Sequence, residues 1–331
     1  MRITVRVAAV QAEPSWLRLS DGVEQVVELI RAAATQGARL IAFPEAFLPG
    51  YPWWRWIDTN QWNVEYSTRC RENSMTRDGV EMRAITGAAA AHGIHVVLGF
   101  GERQDRRIYM SQAVIDDSGE LLSVRRKAGL NSVERKIFAS GTPNLPAVHH
   151  TPIGKYGALS GQENQRPLLT RALRADEEQI HVAAWPGSPY TDAAGPDSSI
   201  TVSRMYALEV GAFVVAPTAV VGESAFDGMG GASRIGGPTG RARIYAADGS
   251  EVVTPLEDGE EGILYADLDL DAGSGDTQKR DSVPAARGRK DRDPVPVRRG
   301  SRRVASGWQS GPDRWALPVS LGTYPGGIAA C

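Results

Sequence analysis

Only two cysteines, Cys70 and Cys331, occur in the 331 residues. Two thiols so far apart exclude a disulfide framework. Charge of one sign is not in excess either. The formal net charge of −2 argues against nucleic acid or an anionic membrane as the main partner. No apolar run approaches the roughly 18 residues needed to cross a bilayer. The opening Met-Arg-Ile-Thr-Val-Arg-Val enters a strand pattern directly, without a signal-peptide stretch, so a cytoplasmic location is expected. Metal-ligand spacings, a phosphate-binding loop and a dinucleotide fingerprint are also missing, so no metal and no cofactor are expected.

What is present is an ordinary globular composition, 42% hydrophobic and 23% charged, in a chain long enough for a large core. Val5 to Gln11 reads as a buried strand. Ser20 is the expected N-cap of a helix whose apolar face is Val23, Val26, Val27 and Ile30, with Gly37 as its stop. Arg39 to Phe43 is the next strand, followed by a loop dense in aromatics and proline from Ala46 to Trp56. Asp78 to Ala91 reads as a helix and His95 to Phe100 as a strand. Met110 to Val124 reads as a hairpin turning at Asp116 to Gly119. Gln179 to Ala184 and Phe213 to Ala216 are further strands, separated by a helix from Asp197 to Gly211. A second hairpin spans Ala242 to Val253, and Gly262 to Asp269 closes the series. Strands alternating with helices indicate an α/β protein.

Residues 1–270 form the expected domain. From about residue 271 the apolar periodicity ends, and residues 276–303 hold ten Lys or Arg and four Asp. The ordinary reading of that stretch is a solvated tail. A nucleic-acid patch is weakly supported, since no aromatics interleave with the basic residues.

The most informative stretch is Lys155 to Arg171. An apolar run turns at Gly161 and continues into an amphipathic pattern with Leu168, Leu169, Ala172 and Leu173 at helical spacing. A strand that turns sharply into a helix presents its corner residue beside backbone N–H groups, and enzymes often place a nucleophile there. Here the corner is glycine.

Gly157, Ala158, Leu159, Glu163, Asn164, Pro167 and Leu168 resemble the nucleophile elbow of the nitrilase (carbon–nitrogen hydrolase) superfamily. Its nitrilase branch reads Gly-Ala-Leu-x-Cys-Trp-Glu-Asn before a Pro-Leu helix. Gly161 falls at the family's cysteine and Gln162 at its tryptophan. The resemblance implies a four-layer α-β-β-α sandwich, self-association into a homodimer or larger homo-oligomer, and a small-molecule substrate; for residues 271–331 it implies an ordered arm across a subunit interface, the rival to a solvated tail. It also assigns roles. Glu45, in Phe-Pro-Glu-Ala-Phe at a strand end, matches the general base. Lys127, in Val-Arg-Arg-Lys, matches the lysine that stabilises charge developing on nitrogen or oxygen. Glu134 matches the second glutamate, which orients that lysine. A lone Glu or Lys in such places is ordinarily a surface group; the surrounding motifs favour the site reading. Where the family reads Lys-Leu-Lys-Pro-Thr-His-Val-Glu, this chain has Lys-Ala-Gly-Leu-Asn-Ser-Val-Glu, so the loop over the site differs.

Tyr51, Trp53, Trp54, Gln162, Glu163, Trp185 and Pro186 are the candidate pocket residues, although interface packing explains the aromatics equally well. His181, inside an apolar strand, reads as a buried, hydrogen-bonded histidine. Glu209, Ser233 and Arg234 match family positions that support structure. Ser160 is a weak substitute nucleophile, because one step along a strand reverses the side chain. Three readings stay open: an enzyme acting on a nitrile, amide or imine-like carbon by general acid–base chemistry without a thiol; a non-catalytic relative that binds a small molecule or a partner; and an inactive variant of a thiol-dependent nitrilase.

Overall fold

The computed structural model describes residues 4–57, 60–189, 198–226 and 239–273. Asp197, Ser233, Arg234, Cys331 and the basic stretch 276–303 lie outside them.

The architecture is built outward from β1 (Thr4–Ala12), which is apolar on both faces. Val5, Val7 and Ala9 point to one core, while Ala8, Val10 and Ala12 point to another. A strand buried on both sides needs cover on both sides. Parallel β2 (Leu40–Ala42) and antiparallel β12 (Gly262–Asp269) flank β1. The sheet continues through β3 (His95–Gln104), β4 (Arg107–Ile115) and β5 (Leu121–Arg126), and the two-residue β10 (Thr218–Ala219) joins the end of β1. A second sheet runs in the order β11 (Arg243–Tyr245), β9 (Phe213–Ala216), β8 (Ile180–Ala184), β7 (Gly154–Ser160), β6 (His149–Thr151). Among the described residues the sheets hold seven and five strands, each mixing parallel and antiparallel pairs.

Three cores separate four layers. Helices α1 (Leu19–Thr35) and α4 (Val80–His92) bury Val26, Ile30, Met82 and Ile85 against the outer face of the first sheet. Between the sheets, Val7, Leu40 and Val97 meet Tyr156, Val182 and Val215. Helix α6 (Ser198–Val210) packs Tyr206, Ala207 and Val210 on the outer face of the second sheet. Helix α5 (Pro167–Ala175) adds Leu173 against Leu159. The expected α-β-β-α sandwich is therefore observed.

Several local expectations are corrected. Ser20 is not an N-cap; it lies inside α1, whose cap position is Arg18, with no side-chain cap of its own. The Leu19 N–H instead donates to Asn73 Oδ1 at 3.0 Å. Asn73 follows α3 (Asn60–Glu72) and also donates to the Arg69 carbonyl. Tertiary packing thus replaces the local cap. The aromatic segment is only partly a loop, because Trp54–Ile57 forms the short α2. β3 runs on to Gln104 and makes a hairpin with β4 that the polar residues after Phe100 had hidden. The second hairpin keeps its turn at Asp248 and Gly249, but its return strand shrinks to a bridge at Glu251. Leu168, expected on the apolar face of its helix, is 77% exposed, whereas Leu173 is fully buried. The last described element is the short α7 (Leu270–Gly273).

Losing a helix cap costs about 1 kcal/mol. Asn73→Ala is expected to destabilise the protein by roughly that amount, read as a lower urea midpoint, while Ser20→Ala leaves the midpoint nearly unchanged.

Candidate active site

Three chain segments converge where strand ends of the two sheets adjoin. The first leaves β2 through Phe43 and Pro44. Its Glu45 N–H donates to the Trp185 carbonyl just past β8, at 3.3 Å, tying the first sheet to the second. The next residue, Ala46, has φ +49°, a left-handed conformation that is uncommon outside glycine. This turn lies directly on β3. A Cβ on Gly99 would stand 2.4 Å from the Pro44 carbonyl oxygen and 2.9 Å from Glu45 Cα. Only glycine admits so close a backbone approach.

The second segment leaves β5. Lys127 is anchored by its N–H to the Met110 carbonyl and by its carbonyl to the Gly141 N–H, at 2.7 and 3.0 Å. Seven residues on, Glu134 opens a 3₁₀ turn. Asn131 caps it, its Oδ1 accepting from the Val133 and Glu134 N–H groups at 2.9 Å. In return Glu134 Oε2 accepts from the Asn131 N–H at 2.9 Å, a reciprocal arrangement of the capping-box kind.

These segments meet in one ion cluster. Lys127 Nζ lies 2.7 Å from Glu45 Oε1 and 2.8 Å from Glu134 Oε1, and all three side chains are 2% exposed. Tyr51 donates its hydroxyl to Glu134 Oε1 at 3.0 Å. The third segment is the end of β7, where Gly161 turns with φ +49° into a 3₁₀ helix, Gly161–Gln165. A Cβ built on Gly161 would lie 2.3 Å from Glu45 Oε2. The Glu45 carboxyl therefore occupies the space a side chain at 161 would claim. By strand alternation Ser160 shares the face of Tyr156 and Ala158, which line the inter-sheet core.

Burial dominates the electrostatics. It pushes Glu45 up to about 7, with Lys127 opposing and Glu134 and Glu163 adding to the rise. Burial alone would lower Lys127, but the two carboxylates outweigh it and raise the ammonium above its ordinary value. Burial, then Glu134 and Glu45, hold the Tyr51 hydroxyl well above the usual tyrosine range, so it remains a donor.

The remaining pocket candidates divide. Trp53 packs on Tyr51 at a tilt of 48° with centroids 4.7 Å apart, and its Nε1 donates to the Pro186 carbonyl at 3.3 Å. Glu163 is fully buried in an ion pair with Arg125, and its Oε1 accepts from the Ala128 N–H at 3.3 Å. Gln162 is exposed. Trp54 turns away to pack on Tyr66. Trp185 directs its indole into the outer core, donating to Ser203 Oγ on α6 at 3.0 Å, so its backbone carbonyl, not its ring, meets Glu45. His181 is fully buried with both ring nitrogens bonded. Cys70 lies in α3, and burial pushes its thiol up to about 12, far from a reactive thiolate. Among the described residues no group of three His, Cys, Asp or Glu could hold a metal ion, and no helix is long and apolar enough to cross a membrane.

Arg125 and Asn131 went unnoticed in the sequence. Arg125 sits in a run of three basic residues, all of them ion-paired, and the run gives no sign that Arg125 meets Glu163. Asn131, three residues before Glu134, carried a readable capping signal.

A four-layer sandwich with Glu, Lys and Glu gathered at adjoining strand ends defines a class of carbon–nitrogen bond enzymes. The carbon-nitrogen hydrolase family model matches residues 6–275, and the chain belongs to that family. It is 43% identical over 277 residues to a nitrilase of Pseudomonas syringae pv. syringae (strain B728a), covering 81% of this chain and 82% of that one. An aliphatic nitrilase of Rhodococcus rhodochrous is 41% identical over 278 residues, covering 81% and 76%. An arylacetonitrilase of Aspergillus kawachii (strain NBRC 4308) is 41% identical over 283 residues, covering 82% and 85%. Among solved structures, an amidase from Nesterenkonia sp. superposes with a TM-score of 0.63 at 19% identity, covering 85% of this chain and 97% of that one, a likeness of fold.

Glu45 makes stability depend on pH. Its carboxyl titrates near 7 in the folded protein against an ordinary 4.5, so the native state holds the proton longer than the unfolded chain. The stability this contributes is full below 4.5 and is lost as pH rises through 7. Glu45→Gln removes the group. Melting temperatures from pH 4.5 to 8 are expected to fall less steeply in the variant than in the wild type; parallel curves contradict the assignment.

Proposed function

We propose that the protein converts a small nitrile with Glu45, Lys127 and Glu134, without a covalent thiol intermediate. One observation carries the reading: Lys127 Nζ is held between Glu45 Oε1 and Glu134 Oε1 while Glu45 Oε2 faces the position where Gly161 has no side chain. Keeping ionisable groups out of water is costly unless they are paired or used, and a perturbed carboxyl such as that of Glu45 is characteristic of functional sites.

The ionised Glu45, whose carboxyl fills the space beside Gly161, removes a proton from a water hydrogen-bonded to it as the water oxygen bonds to the nitrile carbon. The displaced π pair settles on nitrogen, where the Lys127 ammonium compensates the charge and supplies a proton. The resulting imidic acid tautomerises to the amide. Addition of a second water to the amide carbon and cleavage of the C–N bond give the carboxylic acid and ammonia. Glu134 and Tyr51 orient Lys127 throughout. A fixed cation beside developing charge in a dry site is worth far more than in water, and a base titrating near the working pH combines availability with strength. The packed Tyr51 and Trp53 rings supply an apolar wall, which suits the aliphatic or arylacetonitrile substrates named for the relatives. In this reading Gly161 stands where the family carries its cysteine, and the closeness of Glu45 Oε2 is what supports a working site without it.

Wild type, Lys127→Ala and Gly161→Cys are to be assayed against aliphatic and arylacetonitriles and the matching amides by mass spectrometry. Turnover by the wild type is expected, with a loss of about a hundredfold or more in Lys127→Ala and a rising limb near pH 7 in kcat/KM from Glu45. Acid and ammonia from Gly161→Cys alone, with an idle wild type, overturn the thiol-free reading.

The same reading includes self-association. It is supported by Leu168 on α5 and Met205 on α6, which are 77% and 55% exposed. Sedimentation is expected to show a homodimer or larger, and Leu168→Glu with Met205→Glu to shift it toward monomer.

A further inference from the structure

A second buried polar chain runs behind the elbow, through residues that the proposed chemistry does not use. Asn164 Nδ2 donates to the Gly161 carbonyl at 2.9 Å and reaches the Leu159 carbonyl at 3.4 Å. Asn164 Oδ1 is 2.8 Å from His181 Nε2, and His181 Nδ1 is 3.0 Å from Glu178 Oε1. The Tyr206 hydroxyl donates to Glu178 Oε2, and its ring stacks on His181 with centroids 3.8 Å apart. All four side chains are buried. They come from four elements: the elbow turn, the approach to β8, β8 itself and α6.

The inventory of donors fixes the direction of the chain. Asn164 spends its amide nitrogen on two carbonyls, so Oδ1 is an acceptor and His181 Nε2 carries a hydrogen. Burial and then Glu178 push the Tyr206 hydroxyl far above its ordinary range, so it stays a donor to Glu178. His181 Nδ1 and Glu178 Oε1 form the next link of the chain. Space has been left for this arrangement. A Cβ on Gly157 would stand 2.4 Å from Glu178 Oε1, so the first glycine of the Gly-Ala-Leu sequence makes room for that carboxyl.

Glycine takes positive and negative φ about equally readily. At Gly161, with no side chain to pack, something else must select φ +49°, and the carbonyl is the available handle. We propose that Glu178 and His181 are positioning residues which, acting through Asn164, hold the Gly161 carbonyl and so fix the left-handed peptide facing Glu45. The proposal rests on the reading of Glu45, Lys127 and Glu134 as a site that works beside Gly161.

The chain contains a single Gly-Gln pair, Gly161–Gln162. Carbonyl-13C glycine with 15N glutamine therefore gives one NMR correlation from the elbow, visible whether or not the protein turns over substrate. Asn164→Asp keeps an acceptor for His181 but replaces the donor to the Gly161 carbonyl with an oxygen. Glu178→Gln keeps the length of the side chain and still donates to His181 Nδ1. With melting temperatures near wild type, Asn164→Asp is expected to shift or split the correlation. It should also lower nitrile kcat about tenfold or more, with KM within about twofold. Glu178→Ala, which leaves His181 Nδ1 without its partner, is expected to move the correlation and lower kcat in the same direction, and Glu178→Gln to restore both; a folded Glu178→Ala with wild-type correlation and rate overturns the role of Glu178 and His181. A wild-type correlation and kcat in folded Asn164→Asp overturn the proposal. If Asn164→Asp does not fold, Asn164→Ser, too short to reach the carbonyl, is read by the same correlation and the same criterion. A correlation that moves in a protein idle toward nitriles sinks the catalytic reading and leaves the relay; turnover with an unmoved correlation does the reverse.

Discussion

One ammonium between two buried carboxylates governs the centre of this molecule. Lys127 sits within 2.8 Å of both Glu45 and Glu134, and none of the three has appreciable contact with water. Removing one partner of such a cluster leaves an uncompensated buried charge, typically a cost of 3–5 kcal/mol. The fold therefore has to deliver all three at once. It does so with backbone hydrogen bonds: Glu45 onto the carbonyl of Trp185, Lys127 onto Met110, and Glu134 inside a turn capped by Asn131. The two-sheet architecture follows from the same demand, since Glu45 and Lys127 come from the first sheet and the elbow from the second.

Around that cluster the sequence works by omission. Gly99 lets the Glu45 turn lie on β3, Gly157 leaves space for Glu178, and Gly161 leaves space for Glu45. Each lacks a Cβ where a carboxyl group or its backbone passes. The Gly161 peptide consequently separates two polar systems, one charged and facing the site, the other a hydrogen-bonded chain closed off beneath α6.

Much of this was legible in the residues. Alternating and continuous apolar runs placed β1, β7, β8, β9 and β12 within a residue or two, and the Gly-Ala-Leu…Glu-Asn…Pro-Leu spacing located the elbow. The motifs around Glu45, Lys127 and Glu134 picked out three groups that the chain brings within hydrogen-bonding distance. What stayed hidden depends on partners distant in the chain. The α1 cap comes from Asn73, more than fifty residues after the helix starts, so Ser20 looked the better choice. Trp185 sits at a site-facing strand end, yet Ser203 on α6 draws its indole to the other side. Leu168 fits a helical apolar stripe, but α5 covers the sheet with so little of its surface that only Leu173 is fully enclosed.

The pairing of β1 has a consequence for how the chain is born. Among the described strands β1 is made first, yet its antiparallel neighbour β12 spans Gly262–Asp269, with Thr4 opposite Asp269. Until synthesis reaches that point, β1 has one edge of unpaired N–H and carbonyl groups, the kind of surface that templates association with another chain. Contacts so remote in sequence also form slowly. A chain that ends before residue 262 therefore lacks the strand that covers this edge of β1.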